Sequence, residues 1–133
     1  MPLARISLRH GKPADYRRRV AQAVHQALVE TFDVPPDDRF QVLAEYDAES
    51  LLYDRHYLGV ERSDDLVLVE LTVGFGRSLE QKRALFRQIA QNLAAAVGLR
   101  PEDAMIVLVE TARVNWSFGN GLASYAPAEA VAA

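Results

Sequence analysis

Pro2 stands directly after Met1 and opens a short apolar segment, Leu3-Ala4-Arg5-Ile6-Ser7-Leu8. Inside a chain a proline nitrogen is an amide with no basicity. At a chain start it is a secondary amine that can take up and release a proton. A small second residue favours removal of Met1, so the mature chain is expected to begin with that amine. A free amino terminus titrates near roughly 7.7–8.0. Burial in an apolar pocket disfavours its charged form and draws the value towards working pH. Acid–base chemistry at Pro2 is therefore the sharpest reactive feature of this chain, on the condition that Met1 is removed. Other reactive types are scarce. The chain has no cysteine, which excludes disulfides, thiolate zinc sites and a cysteine nucleophile. The three histidines, His10, His25 and His56, have no ligand-like spacing, so no metal site is expected, and no cofactor is expected.

The elements that must position Pro2 are legible from a repeat. Two segments align at a constant offset of 65 residues without gaps. Leu3-Ala4-Arg5-Ile6-Ser7-Leu8 maps onto Leu68-Val69-Glu70-Leu71-Thr72-Val73, and Gly11-Lys12 onto Gly76-Arg77. Val20, Val24, Leu28 and Phe32 map onto Leu85, Ile89, Leu93 and Val97, and Pro36-Asp37-Asp38 onto Pro101-Glu102-Asp103. Each unit reads as strand, glycine turn, helix, turn, strand. The strands alternate with period two. The first helix starts near Pro13 or Ala14, carries its apolar stripe on Tyr16, Val20, Ala23, Val24, Ala27, Leu28 and Phe32, and stops at Val34-Pro35-Pro36. The second opens at Ser78, an N-cap with Gln81 at the capping-box position, and ends at Gly98. Its stripe is Leu79, Leu85, Phe86, Ile89, Leu93, Ala96 and Val97. Phe40–Tyr46 and Ala104–Thr111 complete the units as strands.

A strand–helix–strand crossover implies parallel pairing and a right-handed connection. The expected fold is α/β (α+β): a duplicated β-α-β unit in one domain, with a four-stranded sheet and both helices on one face. Repeat one spans about 2–46, a connecting loop with short strands 47–65, repeat two about 66–111, and a terminal hairpin and tail 112–133. The hairpin reading rests on aromatic residues beside Gly119-Asn120-Gly121, and the Ala-rich tail from Ala126 onward is expected to fray. The other sheet face needs a cover, and self-association is the economical one. A net charge of −3 gives no basic footprint for nucleic acid. No apolar run approaches the ~20 residues of a membrane span. Arg5, Arg9, His10 and Lys12 interrupt any export signal early, so a soluble cytoplasmic protein is expected.

Pro2 opening a strand, Gly76-Arg77-Ser78-Leu79-Glu80-Gln81-Lys82 at the strand–helix turn, and Trp116-Ser117-Phe118-Gly119-Asn120-Gly121 near the end together resemble the tautomerase superfamily. The Gly-Arg-Ser turn is similar to that of 4-oxalocrotonate tautomerase, whose short chain is a single unit. This chain resembles the fused, double-length branch. In length and wording it is similar to the malonate semialdehyde decarboxylase group, through Phe32-Asp33-Val34-Pro35-Pro36-Asp37-Asp38-Arg39-Phe40-Gln41, Glu80-Gln81-Lys82 and Leu108-Val109-Glu110. One departure is plain. That group carries two arginines at the turn into the second helix, and Gly74-Phe75-Gly76-Arg77-Ser78 matches only the second, at Arg77.

The resemblance implies that Pro2 moves a proton between an enol oxygen and the adjacent carbon of a small 2-oxo acid. It implies that Arg77 holds the substrate carboxylate, helped by the helix dipole; the alternative is a solvated residue at a helix start. Asp38 matches an aspartate that assists the proline, or else caps the turn after Pro36, as Asp103 repeats in the other unit. Trp116 and Phe118 are expected to wall an apolar pocket around Pro2, to pack against a neighbouring subunit, or both. Lys12, the counterpart of Arg77, is expected to be structural or on the surface, since Val67 stands where Pro2 stands in the first unit. His25 is expected in the core or at an interface. The resemblance also supplies a homotrimer. Keto–enol tautomerisation is the leading expectation. Decarboxylation or hydration of a 3-oxo acid such as malonate semialdehyde, and a non-catalytic oligomeric module, stand beside it.

Overall fold

The computed structural model describes residues 1–128. Strict alternation makes the first strand, β1 (Leu3–Arg9): Ala4, Ile6 and Leu8 turn inward and are at most 2% exposed, while Arg5 faces solvent. After Gly11 comes α1 (Ala14–Phe32), which buries Val20, Ala23, Val24, Ala27, Leu28 and Phe32 at spacings of threes and fours. It ends on Asp33 in the left-handed region, just before Pro35-Pro36. The parallel return is β2 (Gln41–Tyr46). The second half follows with β3 (Val67–Gly74), α2 (Leu79–Val97) and β4 (Ala104–Thr111). Ser78 and Gln81 form the capping box at the start of α2, each side chain accepting from the other's backbone N–H, and Gly98 closes the helix.

The sheet order is β2-β1-β3-β4. Its outer pairs are parallel, and the central pair, β1 with β3, is antiparallel. The inner residues of the strands and the buried stripes of both helices form one hydrophobic core, and both helices lie on that side. Features recur 65 residues on. Gly11 and Gly76 have φ of 116° and 123°. Asp33 and Gly98 share the left-handed cap. The ion pair Arg17–Glu45 at 2.9 Å has its counterpart in Lys82–Glu110 at 2.7 Å.

Three expectations need correction. Leu79 and Phe86 are exposed and lie off the buried stripe of α2. Phe86 is rotated by roughly 100° from Leu85, and Leu79 by roughly 120°, so neither can share the face of Leu85, Ile89 and Leu93. The 47–65 connection holds a 3-10 turn, Tyr57–Gly59, and no strand. Its backbone carbonyls are taken by a side chain: Arg62 Nη1 donates to Asp54, Tyr57 and Val60. Beyond β4 the chain makes a 3-10 turn, Arg113–Asn115, and doubles back at Gly119-Asn120-Gly121 without a strand ladder among the described residues. Ser124 N–H donates to Trp116 C=O at 3.1 Å, but Phe118 N–H is taken by Ser124 Oγ at 2.9 Å, which breaks the ladder pattern. Most of the tail expected to fray, 129–133, lies outside the described residues.

Candidate active site

Pro2 is buried at the head of β1. The backbone carries the Pro35–Phe40 segment alongside it, since Ala4 N–H donates to Phe40 C=O at 2.9 Å. That segment is a turn, closed by Asp38 N–H on Pro35 C=O at 2.9 Å. It is pinned to α1 by His25, 5% exposed, whose Nε2 donates to Pro36 C=O at 2.8 Å. His25 is thus a core histidine with a satisfied ring nitrogen, and the turn it holds presents Asp38.

The Asp38 carboxylate forms an ion pair with the Met1 amino group, and the same amino group lies 3.3 Å from the Tyr125 hydroxyl. The Met1 side chain is only 6% exposed. It lies against Gly74, where any Cβ would collide with the Met1 methyl and come within 3.0 Å of its sulfur. Gly74 in turn pairs with Thr111 at the end of β4. Thr111 Oγ1 accepts from Trp116 Nε1 at 2.7 Å, fixing the indole. Phe118 sits among three rings: stacked on Trp116 at 5.6 Å, tilted against Phe40 at 5.4 Å and edge-on to Tyr125 at 5.5 Å. The Arg113 guanidinium covers Tyr125 at 5.8 Å.

Arg77, on the turn into α2, lays its guanidinium over the Phe32 ring at 4.7 Å and donates to Phe32 C=O at 3.2 Å. Phe32 ends α1, the helix that leads into the Asp38 turn. Among the described residues no carboxylate pairs with Arg77. Asp38, Phe118 and the chain start are thus brought together through Tyr125. Trp116 joins them by stacking, and Arg77 stands across Phe32. Sequence reasoning could not place Tyr125. It follows a turn with no periodicity around it, so only tertiary folding brings its hydroxyl to the amino group.

The matching place in the second repeat is built from the same parts and filled differently. Lys12 forms an ion pair with Asp65 at 2.9 Å, 5.1 Å over the Tyr16 ring. The hydrogen bond that Lys12 donates to Asp65 raises the Lys12 ammonium above its ordinary 10.5, while burial raises the Tyr16 phenol. Asp103, 1% exposed, accepts from Ser63 N–H and Ser63 Oγ, both at 2.7 Å. The chain runs straight through Asp65-Leu66-Val67 where the first unit has its start at Met1-Pro2. A cavity of about 190 Å³ remains there, lined by Arg9, His10, Lys12, Tyr16, Asp64 and Asp65. Among the described residues no group of three or more His, Asp or Glu could hold a metal ion, and no helix is long and apolar enough to cross a membrane.

Paired β-α-β units around an antiparallel centre, with both helices on one sheet face, define an α+β class, and here the Met1 amino group is set against the Asp38 carboxylate and the Tyr125 hydroxyl. Two family models, both described as tautomerase enzyme, match residues 38–119 and 2–61. The protein named Probable tautomerase YusQ, of Bacillus subtilis strain 168, is 40% identical over 92% of this chain and 97% of its own length. Among solved structures, FG41 malonate semialdehyde decarboxylase inhibited by 3-bromopropiolate superposes with a TM-score of 0.87 at 37% identity, over 92% of this chain and 93% of that one. A malonate semialdehyde decarboxylase solved in wild-type, mutant and inactivated forms, and described with decarboxylase and hydratase activities, gives 0.85 at 30% identity, over 92% and 94%. The chain belongs to the tautomerase family, on the side related to the malonate semialdehyde decarboxylases.

Proposed function

We propose that this protein is a tautomerase that interconverts the enol and keto forms of a small 2-oxo acid, with Pro2 as its acid–base group after Met1 is lost. The observation that carries the reading is the surroundings of the chain start: Pro2 is buried, and the Met1 amino group directly before it meets the Asp38 carboxylate and the Tyr125 hydroxyl, the latter packed edge-on against Phe118. In the neutral state the Pro2 nitrogen accepts the enol O–H proton. As the carbonyl forms, the electron pair of the carbon–carbon double bond takes that proton back from the ammonium at the adjacent carbon. Proton and charge balance within the substrate–amine pair, so no cofactor is required. Arg77, with no carboxylate partner among the described residues, holds the substrate carboxylate as a planar fork and draws charge onto the reacting oxygen.

A second reading, decarboxylation of a 3-oxo acid, is favoured by Asp38, because a carboxylate beside the amine stabilises the charged form. The single arginine of the Gly76-Arg77-Ser78 turn weighs against it. A homotrimer belongs to the proposal: Val42, Tyr46, Met105, Val107 and Val109 stand 37–49% exposed on the helix-free face, and the family resemblance supplies the number three. Intact-mass measurement paired with a substrate panel tests the reading. Protein lacking Met1 is expected to turn over the enol of phenylpyruvate faster than malonate semialdehyde. Full activity with Met1 present on every chain excludes the proline mechanism, and the reverse substrate order favours decarboxylation.

A further inference from the structure

Arg9 is the last residue of β1, and its counterpart at the repeat offset of 65 is Gly74. The second pocket therefore holds a cation where the first holds a glycine, in addition to Lys12 in the place of Arg77. The cavity beside Arg9 measures about 190 Å³, and the buried side chains Leu8 and Leu66 give it an apolar wall. Gly11, also on its wall, has φ of 116°, and a Cβ there would meet nothing within 4 Å. One water takes up roughly 30 Å³ of the liquid, so the cavity has room for a small organic molecule. Val67 stands in mid-chain where Pro2 heads β1, so this pocket has no amine to react with. It is a place to bind.

The charges around it do not cancel. Lys12 is matched by Asp65 at 2.9 Å. Asp64 serves two arginines through one oxygen, Arg55 Nη2 at 2.6 Å and Arg9 Nη1 at 3.0 Å. The hydrogen bond from Arg55, with the charge of Arg9 next, holds the Asp64 carboxyl below its ordinary 3.8, so it stays an anion. Arg9, Lys12 and Arg55 thus face Asp64 and Asp65, and one positive charge is left over. Burial keeps the Tyr16 phenol neutral, and His10 adds positive charge when protonated and none when neutral. The shortage of partners falls on Arg9. Its Nε is buried, and among the described residues it has no hydrogen-bond partner. A buried donor without an acceptor is costly, the more so on a charged group. An excess positive charge and an unmet N–H therefore coincide on one side chain at the wall of a cavity.

We propose that this pocket is a second, non-catalytic site for a small monocarboxylate, with one carboxylate oxygen accepting from Arg9 Nε and the organic end lying towards Leu8 and Leu66. A monoanion matches the single excess charge. A dianion would set its second charge against Asp64 and Asp65. The inference stands on the groups of this pocket and does not depend on acid–base chemistry at Pro2.

The Arg9 Nε–H is itself the probe, read by nuclear magnetic resonance in the full chain with isotopically labelled arginine. Titration with pyruvate at constant ionic strength should move its resonance saturably and slow its exchange with water. Arg77→Ala protein should show the same movement, which separates this site from the first pocket. Sulfate, a dianion, should bind more weakly than pyruvate. By calorimetry in the Arg77→Ala background, Arg9→Gln should raise the pyruvate Kd roughly tenfold or more. Arg9→Lys should recover only part, since it restores the charge without the Nε–H. Either variant leaves Asp64 its ion pair with Arg55. A resonance that moves no more with pyruvate than with chloride would overturn the inference and show a donor satisfied by water. So would Arg9→Gln protein that binds pyruvate as tightly as its parent, or tighter binding of sulfate than of pyruvate. A chain without tautomerase activity that still shows the titration would support this site and refute the proposed function alone.

Discussion

Asp38 and Asp103 hold matching places after matching Pro-containing turns, and their carboxylates do different work. Asp103 is spent on Ser63, buried and doubly hydrogen-bonded. Asp38 is spent on the chain start. Arg77 and Lys12 differ in the same sense, because Asp65 already neutralises Lys12. Arg77→Ala is therefore expected to lower kcat/KM by about 10- to 150-fold, the loss of a charge-assisted contact of roughly 1.5–3 kcal/mol. Arg77→Lys should recover part of it, since a point charge cannot reproduce the fork. Lys12→Ala should leave kcat/KM close to wild type, and equal losses at both positions would show that the two pockets are not distinguished as argued. The pH profile has a definite sign. If neutral Pro2 is the base, kcat/KM rises as pH climbs through its pKa; if the protonated amine is required, the profile falls. Lys12 cannot produce either limb near neutrality. Its pKa is raised above 10.5 by Asp65, so the stability this pair contributes is complete below 10.5 and is lost only as pH rises through the higher folded value. A profile flat between roughly 5 and 9.5 would count against Pro2 in both roles.

Among the elements, α1 has two tasks. Its apolar stripe anchors one half of the core, and its His25 reaches over the helix end to hold Pro36 C=O. The helix thereby sets the height of Asp38 beside the chain start. His25→Leu keeps most of the buried volume and removes the hydrogen bond. Urea denaturation should show a loss of about 0.5–1.5 kcal/mol, and kinetics should show a fall in kcat larger than any change in KM, because the loosened turn carries Asp38 and not the carboxylate clamp. Lost stability with unchanged kinetics would mean that the Pro35–Asp38 turn holds its shape unaided. The α2 start is organised in its own backbone: the Ser78–Gln81 capping box fixes the first turn and so the position of Arg77 just before it.

For the whole molecule, the helices cover one face of the sheet and leave the other to solvent. Val42, Met105, Val107 and Val109 on that face are each more than 40% exposed. Exposed apolar residues gathered on one sheet face mark an interaction surface, and sedimentation at micromolar concentration is expected to give a trimer mass. A stable monomer would refute the assembly and leave the single-chain site untouched.

The gapless repeat, the strand alternation and the capping signals were legible in the chain because each is a local pattern, set by side-chain periodicity and by glycine, serine or proline at a fixed place. They yielded both helices and all four strands; Pro2 stood out by its place after Met1, and the resemblance to the tautomerase superfamily singled out Asp38, Arg77, Trp116 and Phe118. Leu79 and Phe86 were misread where an apolar residue type outweighed its angular position on the helix. The terminal hairpin was misread where a side chain, Ser124 Oγ, took the hydrogen bond that a strand would have used. What only the tertiary structure decided is which partner each repeated residue meets. Asp38 and Asp103, or Arg77 and Lys12, are equivalent along the chain. They part because the 47–65 connection delivers Ser63 and Asp65 to the second pocket, while at the first Asp38 meets the Met1 amino group and Tyr125 arrives from 124 residues away. Contacts of that range depend on the closed sheet, and no local pattern encodes them.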